Sequence, residues 1–516
     1  MRSNRQGKDE HVGLRRTATA VALGAIATVQ WSLTQALQND VFVDEATYVV
    51  AGRLIHSAGG GTAGIPKFAT YFSGAPYLYP GLAAAADRVG GLEGARLVSF
   101  VCVVIAMLAV YVTSRQLFRD RLSGVLAAAI FAIQAPVLFL ARLATFDALC
   151  VALLAVAIAA CAFGTRRERH AAALAWLMIA GACMGIASVV KYAALLYVPA
   201  VILFAIALQP RRWATRSLAV GTSAVVVAAF LVSLGNARDI ATGFLTTTLT
   251  RAAFSGGRAD DILAFAAQLG GVVGLLAITM LIAPRPVSRW VVATLVLFAL
   301  AAPLNHARLH EFVSLHKHVA FSLVLLAPLA GRAVANGARW MQFQFEERRA
   351  ALALTVAAVT LVLFARGNIM PAISASHRLY NYWPNLTRRA YLALRPVASS
   401  ESRVLSEEPD IGSYYLGDKI PYAHWTHPYF FDYNGAIAKS VLDDSIPRRA
   451  LRDGYFTAVI LRYGPQRAWA HRIEEELLRL QPRYRLAVRL PFQLADGPSV
   501  YEVWVRADAV GSDSVR

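Results

Sequence analysis

Eleven apolar runs, separated by short polar connections, occupy most of the first 369 residues. They fall at about 18–37, 94–114, 122–141, 145–163, 171–189, 192–208, 217–235, 262–283, 288–303, 318–336 and 350–366. A bilayer crossing takes roughly 20 apolar residues, because a helix satisfies its own backbone where no water can. The pattern therefore predicts an all-α polytopic membrane domain of about eleven transmembrane helices over 18–369, after a cytoplasmic N-terminus at 1–17. The first run follows Arg15 and Arg16, as a secretory signal would. It is long and lacks a clean small-residue cleavage site, so it reads as the first span.

From about 370 the period changes. Thr457 to Leu461, Tyr484 to Leu490 and Val500 to Val505 alternate as strands do. The stretch from Ala468 to Leu480 is helical, with Glu474, Glu475, Glu476 and Arg479 on its polar faces. Residues 370–516 thus read as a small α/β domain. The segment 38–93 is too long for a turn. It holds an amphipathic stretch, Glu45 to His56, and a Gly/Pro/Tyr-rich stretch, Gly59 to Pro80. Long connections of this kind are more often functional than idle.

Composition agrees with a bilayer. Of 516 residues, 57% are hydrophobic and 16% charged, against roughly 25% charged in soluble chains. The net charge of +19 would suggest nucleic acid in a soluble protein. Here the basic residues crowd the short connections, so the charge speaks to orientation, and no nucleic-acid partner is expected. With the N-terminus inside, alternate connections carry Arg115, Arg119 and Arg121; Arg166, Arg167 and Arg169; Arg211, Arg212 and Arg216; Arg285 and Arg289; Arg339, Arg348 and Arg349. That satisfies the positive-inside rule and puts 370–516 outside. Cys102, Cys150, Cys161 and Cys183 all lie in apolar runs, which predicts neither a disulfide framework nor a cysteine metal site.

The candidates for chemistry gather at the outer connections. Asp44 and Glu45 follow the first span. A carboxylate there serves as a general base if its surroundings raise its pKa; the alternative is that Asp44 caps a helix beginning at Glu45. Asp147 stands where the third span turns into the fourth, and an acid in apolar sequence persists mostly where it meets a cavity or a partner. Arg142 is the nearest cation in sequence, so a structural ion pair is the competing reading. Lys191 and Tyr192 interrupt two spans; the lysine either snorkels to the interface or meets an anion. His306, Arg308, His310, His316, Lys317 and His318 form a basic cluster. His306 and His310 have the spacing of a helical metal-ligand pair, yet no cysteine or carboxylate set accompanies them, and phosphate binding suits these donors better. Lys67 could join them, and an interfacial basic belt is the bland alternative.

In this context the sequence resembles the GT-C superfamily of membrane glycosyltransferases. The likeness is to the dolichyl-phosphate-mannose–protein mannosyltransferase and aminoarabinose transferase group (glycosyltransferase family 39-like). It is carried by Asp44-Glu45-Ala-Thr-Tyr48, by Ala141-Arg142 ahead of Asp147, by Lys191-Tyr192 running to Pro199, and by Lys317-His318 leading into Leu323 to Gly331. In the tail, Phe430-Phe-Asp-Tyr433, Asp453-Gly-Tyr-Phe456 and Tyr501-Glu-Val-Trp504 look like the soluble domain often attached to such enzymes. Relatives carry a lysine or histidine beside a Pro-Pro/aromatic run in the first loop. Here Lys67 stands at some distance from Pro76 and Pro80.

The resemblance implies transfer of a sugar from a polyprenyl phosphate to an acceptor hydroxyl at the outer face, with inversion. Asp44 is the implied base, Glu45 its support and Asp147 the second essential carboxylate. Lys191, Lys317 and Arg142 would stabilise the leaving phosphate, with Tyr48, Lys67, Tyr192, His306 and His318 completing the substrate site. No metal ligand is assigned and no cofactor is required, although a divalent cation is left open. The implied partners are the lipid-linked donor, a glycan, lipid or protein acceptor, and the bilayer of a plasma membrane. A flippase of lipid-linked glycans and a non-catalytic glycan-binding scaffold are the rival readings. Transporters usually hold their polar groups near mid-membrane in broken helices, whereas these collect at the ends of spans.

Overall fold

A computed structural model describes residues 2–35, 39–57, 68–70, 72–165, 169–250, 257–282, 287–344, 386–428, 431–437, 443–463, 467–494 and 497–509. The chain forms two compact units, 1–37 with 54–376 and 38–53 with 377–516. The start of the 38–93 segment therefore groups with the tail.

The first unit is helical: α1 (Arg2–Thr34), α3 (Tyr79–Phe118), α4 (Arg121–Ala132), α5 (Ala135–Arg142), α6 (Phe146–Gly164), α7 (His170–Val190), α8 (Val198–Leu208), α9 (Trp213–Ser233), α10 (Ala237–Phe244), α11 (Ala259–Thr279), α12 (Arg289–Ala299), α13 (Ala301–Leu309) and α14 (Leu315–Gln344), with α2 (Val43–Ser57) crossing the unit boundary. Among the described residues, seven helical stretches are long and apolar enough to span a bilayer: Tyr79–Phe118, Phe146–Gly164, His170–Val190, Pro210–Ser233, Ala259–Thr279, Arg289–Leu309 and Leu315–Trp340. The run expected at 122–141 is the bent pair α4 and α5, turned by 67°, and counts as an eighth if taken as one span. Pro136 stands in the first turn of α5, where it has no N–H for a helix continuing from α4. Residues 192–208 form only a short apolar helix. The eleventh expected run, 350–366, lies outside the described residues. Among the described residues, seven or eight stretches meet the length and apolarity criterion, and the expected eleven are not all seen.

Small residues set the close contacts. A side chain at Gly181 would meet the Val220 carbonyl oxygen at 2.3 Å, and one at Gly185 the Ala224 carbonyl oxygen at 2.5 Å. These glycines are one turn apart on α7 and let α9 approach backbone to backbone, as small-residue pairs do in membranes. Helix α6 packs between α3 and α7, and α14 against α4 and α11. Leu218, Val225, Val226 and Phe230 of α9 point outward, where lipid rather than water is their natural solvent.

The second unit carries a five-stranded mixed sheet, ordered β2 (Trp425–Thr426), β1 (Val404–Ser406), β5 (Ala458–Leu461), β7 (Gly497–Arg506), β6 (Tyr484–Leu494), and a small ribbon of β3 (Asp432–Tyr433) and β4 (Ala436–Ile437). β1 runs parallel to both β2 and β5, whereas β7 is antiparallel to β5 and β6. The helix Arg467–Arg479 buries Trp469, Ala470, Ile473 and Leu477, a helical stripe that joins Val459, Leu461 and Trp504 in the core. Glu476 departs from the expected polar face. It is buried, because it lies one turn beyond Ile473 and faces Arg448 at 2.9 Å and Arg452 at 2.6 Å.

Candidate active site

The chemistry-bearing residues of the membrane unit meet at one end of α6, α7 and α14. Asp147 stands in the first turn of α6, with its side chain fully buried. A carboxylate there complements the positive end of the helix dipole. Lys191 ends α7 by leaving helical geometry, at φ −150° and ψ 120°. The chain beyond it is held by the Ser73–Ala75 stretch of the 38–93 segment: Tyr192 N–H donates to the Ser73 carbonyl at 2.9 Å, and Ala75 N–H donates to the Val189 carbonyl at 2.8 Å. Only glycine fits between these bonds, since a side chain at Gly74 would meet the Val190 carbonyl oxygen at 1.8 Å.

Thus fixed, Lys191 donates to Asp147 Oδ1 and lies 4.9 Å over the Phe146 ring. Both side chains are buried, at 5% and 0% exposure. Breaking such a pair strands a charge in a dry site, which costs about 3–5 kcal/mol. Asp147 accepts a hydrogen bond from one of the three ammonium N–H groups of Lys191, which leaves two donors.

A histidine pair continues the cluster. His318 Nε2 is 3.8 Å from Asp147 Oδ1, and His318 Nδ1 is 2.7 Å from His306 Nε2. His306 Nδ1 is 2.7 Å from the Glu311 carbonyl oxygen, which can only accept. That contact fixes the proton on Nδ1 of His306. The bond between the two rings is then satisfied by His318 Nδ1–H donating to His306 Nε2. Lys317 is buried and acts electrostatically on Asp147. His316 is also buried, edge-on to Phe139 with ring centres 4.4 Å apart.

Other candidates are placed differently. Arg142 is not the partner of Asp147. It makes a two-pronged ion pair with Glu93, at 2.9 Å through Nη2, while Arg96 reaches Glu93 at 3.2 Å. The pairing follows from chain geometry: Leu143 to Thr145 turn between α5 and α6, and Asp147 is already taken by Lys191. Tyr192 is buried, its hydroxyl 3.4 Å from the Ile240 carbonyl and its ring edge-on to Phe244. His306 and His310 do not form a ligand pair, since His310 is in the left-handed conformation and its Nδ1 is 3.0 Å from the Gly257 carbonyl. Among the described residues, no group of three His, Cys, Asp or Glu could hold a metal. Lys67 lies outside the described residues.

Asp44, Glu45 and Tyr48 belong to the second unit. Helix α2 begins at Val43, two residues earlier than a cap at Asp44 requires, and it is Glu45 that reaches back to accept from Phe42 N–H at 2.9 Å. This is the carboxylate half of a capping box, and Glu45 is fully buried by it. Asp44 is half-buried in the first turn, on the same face as Tyr48 one turn on. The helix is tied down by Thr47 to Asp410 at 2.8 Å, Arg53 to the Tyr414 carbonyl at 3.0 Å, and Arg53 stacked on the Tyr414 ring at 4.6 Å. Burial pushes the Asp410 carboxyl above its ordinary range, against the pull of Thr47 and Tyr422.

Three contributors were not read from the sequence: Glu93, the Ser73–Ala75 clamp and the Phe146 ring. Glu93 had a signal, a lone carboxylate at the head of the 94–114 run. The clamp had none, since its pairing is tertiary.

The family model described as dolichyl-phosphate-mannose-protein mannosyltransferase matches residues 82–235. No protein of curated function matches the sequence. Among solved structures, ArnT from Cupriavidus metallidurans bound to undecaprenyl phosphate is similar, with TM-score 0.60 and 17% identity over 96% of this chain and 99% of that one. The archaeal oligosaccharyltransferase AglB from Archaeoglobus fulgidus, in complex with an inhibitory peptide and a dolichol-phosphate, gives 0.57 and 14% over 95% of this chain and 74% of that one. The same archaeon's oligosaccharyltransferase in the apo form gives 0.55 and 15%, over 94% and 74%. The fold is that of these solved structures, and the family model agrees with the mannosyltransferase resemblance over residues 82–235.

Proposed function

We propose that this protein transfers a sugar from a polyprenyl phosphate to an acceptor hydroxyl at the outer face of a cell membrane. The observation that supports it best is the buried Asp147–Lys191 pair with His318 beside it, an array of cations in a dry site at the end of a helical bundle. Undecaprenyl phosphate on ArnT and dolichol-phosphate on AglB suggest the class of lipid.

In this reading the acceptor oxygen attacks the anomeric carbon as the bond from that carbon to the phosphate oxygen breaks. The lipid phosphate leaves with the electron pair, and the acceptor proton goes to Asp44. A single displacement inverts the anomeric centre. Lys191 supplies charge and its remaining donors to the departing phosphate, aided by Lys317 and the His306–His318 pair, and such help is strongest where water is excluded. Asp147 acts as a positioning residue that keeps Lys191 charged and aimed. Glu45 holds the turn carrying Asp44, and Tyr48 lies along the same face. Arg142 contributes through the Glu93 pair at the head of α6. Lys67 is a further phosphate ligand by this reading.

The test is transfer from radiolabelled polyprenyl-phosphate sugars, in membranes carrying wild type, Asp44→Asn or Asp147→Asn at matched expression. Loss of about 10²–10³-fold in each folded variant is the expected outcome. Equal transfer in all three would sink the assignment, and translocation of lipid-linked glycan without transfer would favour a flippase.

A further inference from the structure

At the other end of α6 and α7 lies a second basic site. Helix α6 has 19 residues, so at 1.5 Å per residue its two ends are about 28 Å apart, close to the thickness of a bilayer core. One end presents Asp147. The other leads to a shallow, open recess lined by His170, Gln209, Arg212, Thr215 and Arg216.

Arg216 sets this recess apart from an ordinary basic loop. It is 2% exposed. Its Nη1 donates to the Ala205 carbonyl at 2.6 Å, whereas Nη2 is buried with no hydrogen-bond partner among the described residues. Leaving a charged donor unmet in a dry site is costly, and the cost is relieved by an acceptor entering the recess. The neighbours fit an anion. Arg212 Nη1 lies 3.2 Å from His170 Nδ1 at the mouth, and both side chains are exposed. Helix α7 and the helical stretch Pro210–Ser233 that contains α9 both start here, so two positive dipole ends add to the field.

We propose that this recess binds a phosphate oxyanion through Arg216 Nη2, Arg212 and His170. The anion is carried on an anionic phospholipid headgroup or is free phosphate. Basic pockets between membrane helices take lipid headgroups in this way. The site lies at the end of the bundle opposite the Asp147 cluster and is independent of the function proposed there.

The experiment is binding to the purified full-length protein in neutral detergent, by native mass spectrometry and thermal shift, with phosphatidylglycerol in one arm and inorganic phosphate in the other. The variants are Arg216→Gln, the exposed pair His170→Ala with Arg212→Ala, and Arg289→Ala as an exposed arginine elsewhere. Affinity should fall about tenfold or more in the first two, since a hydrogen bond to a charged group is worth about 1.5–3 kcal/mol, and should hold in Arg289→Ala. Loss confined to the phosphatidylglycerol arm identifies the lipid, and loss in the phosphate arm as well identifies the free ion. Should Arg216→Gln fail to fold, the exposed pair decides. Unchanged binding in that pair, an equal loss in Arg289→Ala, or no binding to wild type would overturn the proposal.

Discussion

Both units bury charge, and they do so to different ends. In the tail, Glu407 accepts from the backbone N–H groups of Arg462 and Tyr463 at 2.6 and 3.2 Å. Glu408 is bonded by Arg462 at 2.8 Å and Tyr501 at 3.4 Å, and Glu502 by Tyr463 and Trp504. Each carboxylate is wrapped by donors from the strands around it, and the network ties β1, β5 and β7 together. In the membrane unit the buried carboxylate of Asp147 faces Lys191, His318 and the field of Lys317. Carboxylates surrounded by donors hold a fold together. Cations gathered around one carboxylate are suited to receiving a further anion.

The sharpest break in that comparison comes from Lys191→Met, which keeps most of the side-chain volume and deletes the charge. Transfer should fall about 10²–10³-fold, and partial recovery in Lys191→Arg would show that charge rather than packing is at issue. The tail counterpart is Arg462→Met. It should destabilise the protein by about 3–5 kcal/mol, because Glu408 then stands buried and unpaired. Its surviving folded fraction should transfer at the wild-type rate per molecule. A loss of rate at unchanged melting temperature would reverse the roles assigned to the two networks.

A smaller effect belongs to His306→Gln, which disturbs the tautomer support of His318. Transfer should drop about tenfold, on the scale of a hydrogen bond to a charged group, with an altered pH profile as the mark of a titrating ring. An unchanged profile would reduce His306 to packing.

The smallest effect is a pH slope in the tail. Burial pushes the Glu408 carboxyl up to about 7, against the pull of Arg462, from an ordinary value of 4.5. A raised acid keeps its proton in the folded state after the unfolded chain has lost it. Its contribution is therefore full below about 4.5 and is lost as pH rises towards 7, and Glu407 is shifted in the same direction. Melting of the full-length protein between pH 4.5 and 7.5 should show this decline, and Glu408→Gln should flatten it. An equal slope in the variant would place the titration elsewhere.

Periodicity and charge determined the larger outline: the apolar runs, the change to strand alternation after 370, and the candidates Asp147, Lys191 and His318. Such features are legible because helix and strand bury faces at fixed local spacing. Pairing was not legible. The sequence offered Arg142 to Asp147 and a cap to Asp44, whereas folding gave Asp147 to Lys191, 44 residues away, and the cap to Glu45. Only tertiary structure decides which buried charges meet, because each must find its partner across helices, and the cost of missing one far exceeds any local preference.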